Sequence, residues 1–194
     1  MVQPRYPLET PRLLLRPFTA ADRAELFDLY SRADVVRYLY REPCTDTELD
    51  ALLEQKVTRT VLEKEGDGID LAVVPRGLGT VVGNVNLFWR SEQHGQGELG
   101  FIVHPDHQGR GYAQEASLAL LHVGFDQRGL HRIVGRLDGR NGASARVLER
   151  LGMRREAHLV ENEWVKGEWT DELVYALLDR EWQSRAAAGP HRPG

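Results

Sequence analysis

Cysteine is almost absent from this chain: Cys44 stands alone among 194 residues. A lone thiol excludes a disulfide framework and fits a reducing compartment. Long apolar runs are missing too. None approaches the roughly 18 residues that a membrane-spanning helix needs, and the opening MVQPRYPLE has no apolar core of the kind a signal peptide carries. Basic residues show no excess. The formal net charge is −4 and the arginines are interspersed with acids, so the electrostatic footprint of a nucleic-acid binder is absent and DNA is not an expected partner. What remains is 41% hydrophobic and 28% charged, of a length that suits one domain with a good core. A soluble, cytoplasmic protein is expected.

RLLLRPF (12–18) reads as an early strand. Thr19 offers a helix N-cap and Asp22 a first-turn acid ahead of a helix carrying Leu26, Leu29 and Tyr30 on one side. TDTE (45–48) matches a capping box, and Leu49, Leu52, Leu53, Val57, Thr60 and Val61 recur at helical spacing, predicting one long amphipathic helix over 46–65. IDLAVVP (69–75) and TVVGNVNLFW (80–89) flank the turn RGLG and read as an antiparallel hairpin. ELGFIV (98–103) predicts a strand, 109–127 a helix, HRIVGRLD (131–138) a strand, and NGASARVLERLG a helix closed by Gly152. The remaining apolar stretch splits at KGEW into two strands. The order is α+β with a mostly antiparallel sheet, in a single domain over 1–183 followed by a disordered tail over 184–194.

HPDHQGRGYAQEA (104–116) sets a glycine turn between a strand and a helix N-terminus, where unpaired backbone N–H groups and the helix dipole receive anions. The P-loop pattern GxxxxGK[ST] is absent, and GRGYAQ lacks the third glycine of a dinucleotide fingerprint. Gln108, Gly111 and Ala113 do match the signature Q/R-x-x-G-x-G/A. LETPRLLLRPFTAAD, ELGFIVHPDHQGRGYAQEA, NGASARVLERLGM and GEWTDELVYALLDREW stand around it in order. By these motifs nearly the whole chain resembles the GCN5-related N-acetyltransferases (GNAT), in particular the RimJ/RimL-like ribosomal-protein N-terminal acetyltransferase branch.

The resemblance implies a GNAT fold: a mixed sheet of about six to seven strands, splayed between the fourth strand (98–103) and the fifth (131–138), with about four helices. It implies acetyl-CoA as acyl donor, with the N–H groups of Gly109, Arg110, Gly111, Tyr112 and Ala113 around the pyrophosphate beside Gln108. The backbone of Phe101, Ile102 and Val103 would carry the pantetheine arm as an added strand, with a free N–H near Val103 for the oxyanion. Asn141 would bond a pantetheine carbonyl, and it equally suits a plain helix N-cap.

Glu98 is the one acid within ELGFIV and the candidate general base, although strict alternation faces it away from Phe101 and Val103. A bulge in the family's strand would re-aim it; the alternative is a strand-edge carboxylate. The tyrosine that many GNAT enzymes use as proton donor is replaced here by Leu148, which leaves Ser144 as the polar residue near the sulfur. His104 and His107 have no third ligand at usable spacing, so no metal is expected. Trp164, Trp169 and Trp182 suit either an acceptor pocket or hairpin packing. The expected acceptor is a primary amine, of a protein N-terminus or a small molecule, bordered by segments 31–45 and 90–97. A non-catalytic acyl-CoA-binding or sensing protein is the alternative, and a homodimer is common in the branch.

Overall fold

The computed structural model describes residues 4–187. Eight strands form one sheet: β1 (Leu8–Glu9), β2 (Leu13–Pro17), β3 (Gly68–Pro75), β4 (Gly83–Ser91), β5 (Gln96–Val103), β6 (Arg132–Asp138), β7 (Arg154–Val165) and β8 (Glu168–Leu178). Their spatial order is β1-β2-β3-β4-β5-β6-β8-β7. Every pairing is antiparallel except β5 with β6. The expected α+β GNAT fold is present, with one strand more than the upper expected count because Leu8–Glu9 adds a short edge.

Among the described residues six helices, two more than the expected four or so, complete the fold: α1 (Arg23–Tyr30), α2 (Ala33–Val36), α3 (Asp46–Thr58), α4 (Tyr112–His122), α5 (Gly142–Arg150) and α6 (Asp179–Ala187). Strand alternation divides the sheet into two cores. Leu71, Val73, Val85, Leu87, Leu99 and Ile133 meet the apolar stripes of α4 and α5 through Leu120, Leu121, Leu148 and Leu151. On the opposite face, Ala72 and Val74 meet Phe18, which follows β2, and Leu26, Leu49 and Leu53 from the buried sides of α1 and α3.

The capping box at Thr45 forms, its N–H donating to Glu48 Oε2 at 2.9 Å. The helix it opens stops at Thr58, not at residue 65. Its buried stripe is Leu49, Leu53 and Lys56, while Val57 is exposed. Beyond Arg59, Thr60 bridges Ile69 at the start of β3 and Leu62 enters the α4-side core, so tertiary pairing wins over the apolar periodicity. The helix expected over 109–127 begins at Tyr112 and passes into a π-helical turn over Val123–Gln127. The C-terminal segment differs as well. The first four residues of the segment expected as a tail, 184–187, continue α6, and 188–194 lie outside the described residues.

Candidate cofactor and acceptor cleft

β5 and β6 are paired only through Gln96–Arg132, Gly97–Ile133 and Glu98–Val134. Beyond Glu98 the two strands diverge, and β6 continues along β8 to Asp138. The splay therefore opens toward the C-terminal ends of β5 and β6. On its other side β5 keeps an uninterrupted register with β4 from Gly83–Val103 to Trp89–Gly97. The N–H of His104 donates to the Val82 carbonyl at 2.8 Å. Backbone groups alternate in direction along a strand, so those of Phe101 and Val103 face the splay while those of Ile102 face β4. Ile102 is thus set apart from the two residues it was grouped with. The Val103 carbonyl accepts from Gln108 Nε2 at 3.0 Å, which ties the end of the free edge to the following loop.

That loop runs directly from the free edge into α4. Gly109 and Gly111 adopt φ of +73° and +78°, a region costly for residues with a Cβ. The first intrahelical bond closes from the Glu115 N–H to the Gly111 carbonyl at 3.1 Å, and Gly111 contributes no side-chain cap. The N–H groups of Tyr112, Ala113 and Gln114 precede that bond and carry the positive end of the helix dipole. A bare turn with donors on one side suits a phosphate or pyrophosphate.

Across the splay, Asn141 caps α5, its Oδ1 accepting from the Ser144 N–H at 3.1 Å. The turn before it is held by Asp138. Burial raises the Asp138 carboxyl pKa, but hydrogen bonds from the Arg140 side chain and backbone outweigh burial and hold it below the usual range. Ser144 is half-buried on the first turn of α5. Leu148 is buried, and its methyl groups lie 2.8–2.9 Å from where a Cβ on Gly135 of β6 would stand. The position that carries tyrosine in many family members is therefore packed into the core.

Glu98 is the last β5 residue paired with β6 and so stands at the vertex of the splay. No bulge re-aims it: each residue from Gly97 to Val103 has one β4 partner, and the only irregularity lies at Trp89/Ser91. Its carboxylate accepts from Arg90 Nε through Oε2 at 3.0 Å.

Segment 31–45 borders the open side. Lys166, at the tip of the β7–β8 hairpin, donates to the Val36 carbonyl at 2.5 Å and joins the two walls. The Tyr40 hydroxyl pKa is pushed up to about 12 by burial and then by the negative charges of Glu172, Glu163 and Asp138. Glu172 is 3% exposed and accepts from Arg136 at 3.0 Å. An acid at an inward register beside the apolar run Leu173–Leu178 is a legible signal for Glu172; nothing local in the sequence points to Tyr40.

Beyond Arg90, which reaches Glu98 at the vertex, segment 90–97 does not border the opening. Its turn lies at the joined end of β5 and β6, where the His131 N–H donates to the Gly95 carbonyl at 2.8 Å. Trp164 and Trp169 pair across the β7–β8 hairpin, ring centroids 5.3 Å apart, and are exposed, whereas Trp182 lies on α6 and stacks on Phe125 at 5.7 Å, outside the hairpin. His104 Nδ1 accepts from the Asp106 N–H, and burial lowers the His107 pKa, followed by the charge of Arg110. Among the described residues no cluster of three His, Cys, Asp or Glu is placed to hold a metal, and no helix is long and apolar enough to cross a membrane.

Comparison with known proteins agrees with this geometry. The family model for an acetyltransferase (GNAT) domain matches residues 12–154. An uncharacterized N-acetyltransferase of Bacillus subtilis, YnaD, is 30% identical over 176 residues, 90% of this chain and 98% of its own. The crystal structure of a GNAT-family acetyltransferase from Bacillus anthracis superposes with a TM-score of 0.79 at 29% identity, covering 89% of this chain and 98% of that one. Spermidine N-acetyltransferase from Vibrio cholerae, crystallised with CoA and spermine, shares the fold at a TM-score of 0.76 and 23% identity, covering 90% and 99%.

Proposed function

Because the chain belongs to the GNAT acetyltransferases, we propose that it moves an acetyl group from acetyl-CoA to a small primary amine by direct attack within a ternary complex. The observation that carries this reading is the splay itself: a strand edge released after Glu98 and running straight into a glycine turn at a helix N-terminus. The residues present fit the donor. Gly109 and Gly111 leave room beside the α4 N-terminus for a pyrophosphate, and the free edge of Phe101 and Val103 suits the amides of a pantetheine arm.

Acetyl-CoA supplies an activated acyl thioester, whose carbonyl carbon is attacked as the new C–N bond forms and the C–S bond breaks. The Val103 N–H, on the free edge, is the donor for the negative charge developing on the acyl oxygen. Glu98 takes a proton from the ammonium through water, which frees the nitrogen lone pair to attack, and it uses Oε1, the oxygen that Arg90 leaves open. Ser144 orients the sulfur and supplies a hydroxyl near the departing thiolate. Asn141 does two jobs, its Oδ1 capping α5 while its amide N–H₂ faces a pantetheine carbonyl.

A small acceptor is favoured by the Lys166 contact that joins the cleft walls, and a cationic one by Glu163, since the other carboxylates near Tyr40, Glu172 and Asp138, are paired with Arg136 and Arg140. A protein N-terminal amine is the second reading, and it rests on the RimJ/RimL-like motifs. The homodimer is part of the proposal as well. β7 is an edge strand with Val160 71% exposed, the kind of edge that pairing with a second copy covers. A buried free Cys44 suits the proposed cytoplasmic setting.

Acetyl-CoA and a thiol reagent, followed in time against polyamines, amino acids and short peptides, test the activity. Amine-dependent thiol release with a small amine is expected. CoA binding without thiol release for any amine would leave an acyl-CoA-binding protein instead. Gly111→Val tests the loop. A side chain at φ +78° is strained, and its Cβ would meet Arg12 Nη2 at 3.2 Å. Losing two or three charge-assisted bonds, at about 1.5–3 kcal/mol each, is expected to weaken CoA at least a hundredfold in calorimetry. Unchanged affinity in the folded variant would refute the assignment.

A further inference from the structure

Arg12, in the turn between β1 and β2, reaches the glycine loop from 98 residues away in sequence, where its Nη1 donates to the Arg110 carbonyl at 2.8 Å. The same side chain donates from Nε to Glu115 Oε2 at 2.6 Å. Glu115 Oε1 accepts from the Arg12 N–H at 2.8 Å and from Thr10 Oγ1 at 2.6 Å. The guanidinium also lies over the Tyr112 ring, 5.4 Å from its centroid. Burial raises the Glu115 carboxyl pKa, but the bonds from Thr10 and Arg12 outweigh it and hold the group ionised below the usual range.

We propose that Arg12 and Glu115 are positioning residues for the anion-binding loop, aiming its Gly111 N–H at the phosphate. The inference rests on the reading of that loop as the pyrophosphate site. In a trans peptide the C=O and N–H of one unit point in opposite directions. Holding the Arg110 carbonyl on Arg12 therefore turns the Gly111 N–H to the other side of the loop. Glu115 anchors the clamp to the first turn of α4, so loop and helix N-terminus keep one relative orientation. The arrangement also answers a conflict of charge. An acid in the first turn favours the helix but repels a bound anion, and the guanidinium on Glu115 offsets that repulsion.

The two roles of Arg12, aiming and masking, predict different outcomes when Glu115 is neutralised. Calorimetric titration of the full chain with CoA sets the reference. Arg12→Ala is expected to weaken CoA on the order of tenfold or more, with little change in melting temperature because the side chain is 52% exposed. Arg12→Ala/Glu115→Gln is expected to regain only the part of the loss that came from the uncovered acid and to stay well below the wild type, since removing the acid does not restore the hold on the Arg110 carbonyl. Full recovery of affinity in the double variant would overturn aiming and leave charge masking alone.

Amide NMR supplies a readout that general destabilisation does not move: the CoA-induced shift of the Gly111 resonance is expected to be lost in Arg12→Ala. Retention of that shift, or of wild-type affinity, would overturn the inference. Arg12→Lys keeps the charge but cannot hold Glu115 and the carbonyl together. It is expected to be weakened as well, and it carries the test if the alanine variant fails to fold. Absence of CoA binding by the wild type would refute the cofactor reading itself, a result distinct from any contrast among the variants.

Discussion

Glu98→Gln is expected to lower turnover on the order of 10²–10⁴-fold while leaving CoA affinity and the fold intact. The amide preserves the shape of the side chain at the vertex of the splay and can still meet Arg90, but it cannot accept a proton. A primary amine is mostly protonated at neutral pH, with reference pKa values of about 7.7–8.0 for an α-amine and 10.4 for a lysine-type amine. Without an acceptor the variant depends on the small neutral fraction in solution. Its rate is therefore expected to climb progressively with pH, toward that of the wild type. Near-normal turnover with the wild-type pH profile would make Glu98 a bystander held by Arg90, with the proton leaving to water through the open side of the cleft.

An equally large effect is expected at a site with no part in the chemistry. Lys56 projects from α3 into the sheet and donates to Asp70 Oδ2 at 2.9 Å, with both side chains almost wholly buried. Asp70 Oδ1 accepts from Asn84 at 2.6 Å, and Asn84 accepts in turn from the Tyr30 hydroxyl at 2.7 Å. The ammonium also lies 5.0 Å from the Tyr30 ring centroid and 5.4 Å from that of Phe18.

Asp70→Asn keeps the volume but strands a buried cation, and it is expected to cost about 3–5 kcal/mol in denaturant unfolding. Lys56→Met combined with Asp70→Leu removes both charges and is expected to recover most of that loss. A cost below about 1 kcal/mol for Asp70→Asn would show that water reaches Lys56. Burial pulls the Lys56 pKa down, but Tyr30 and Asp70 more than restore it, so the net direction is up. A raised cation contributes its stability fully below the unfolded pKa and loses it as pH rises through the folded one. The cost is therefore expected to be full at neutral pH and to fade only beyond the ordinary lysine range.

Short-range signals in this chain are honest ones. The glycines of QGRGYA take the left-handed turns that their lack of a Cβ allows, Asn141 caps the helix that follows it, and Thr45 with Glu48 closes the box that opens α3. Each of these depends on neighbours within a few residues, where sterics and hydrogen-bond reach leave few alternatives. The α+β class and the splay between the strands at 98–103 and 131–138 followed once the family motifs arranged these local readings.

Partners far apart in the chain were beyond such reading. Lys56 has no place in the apolar repeat that predicts the helix, yet it is buried on Asp70, and α3 ends seven residues early because Thr60 pairs with Ile69. Arg12 on Glu115, Lys166 on the Val36 carbonyl and Tyr40 among the carboxylates join segments that only the folded chain brings together. A hydrogen bond or ion pair acts over a few ångströms of space whatever the separation in sequence. The residue types of the cleft were thus written locally, whereas its vertex, its walls and the aim of its loop were decided by how distant segments pack.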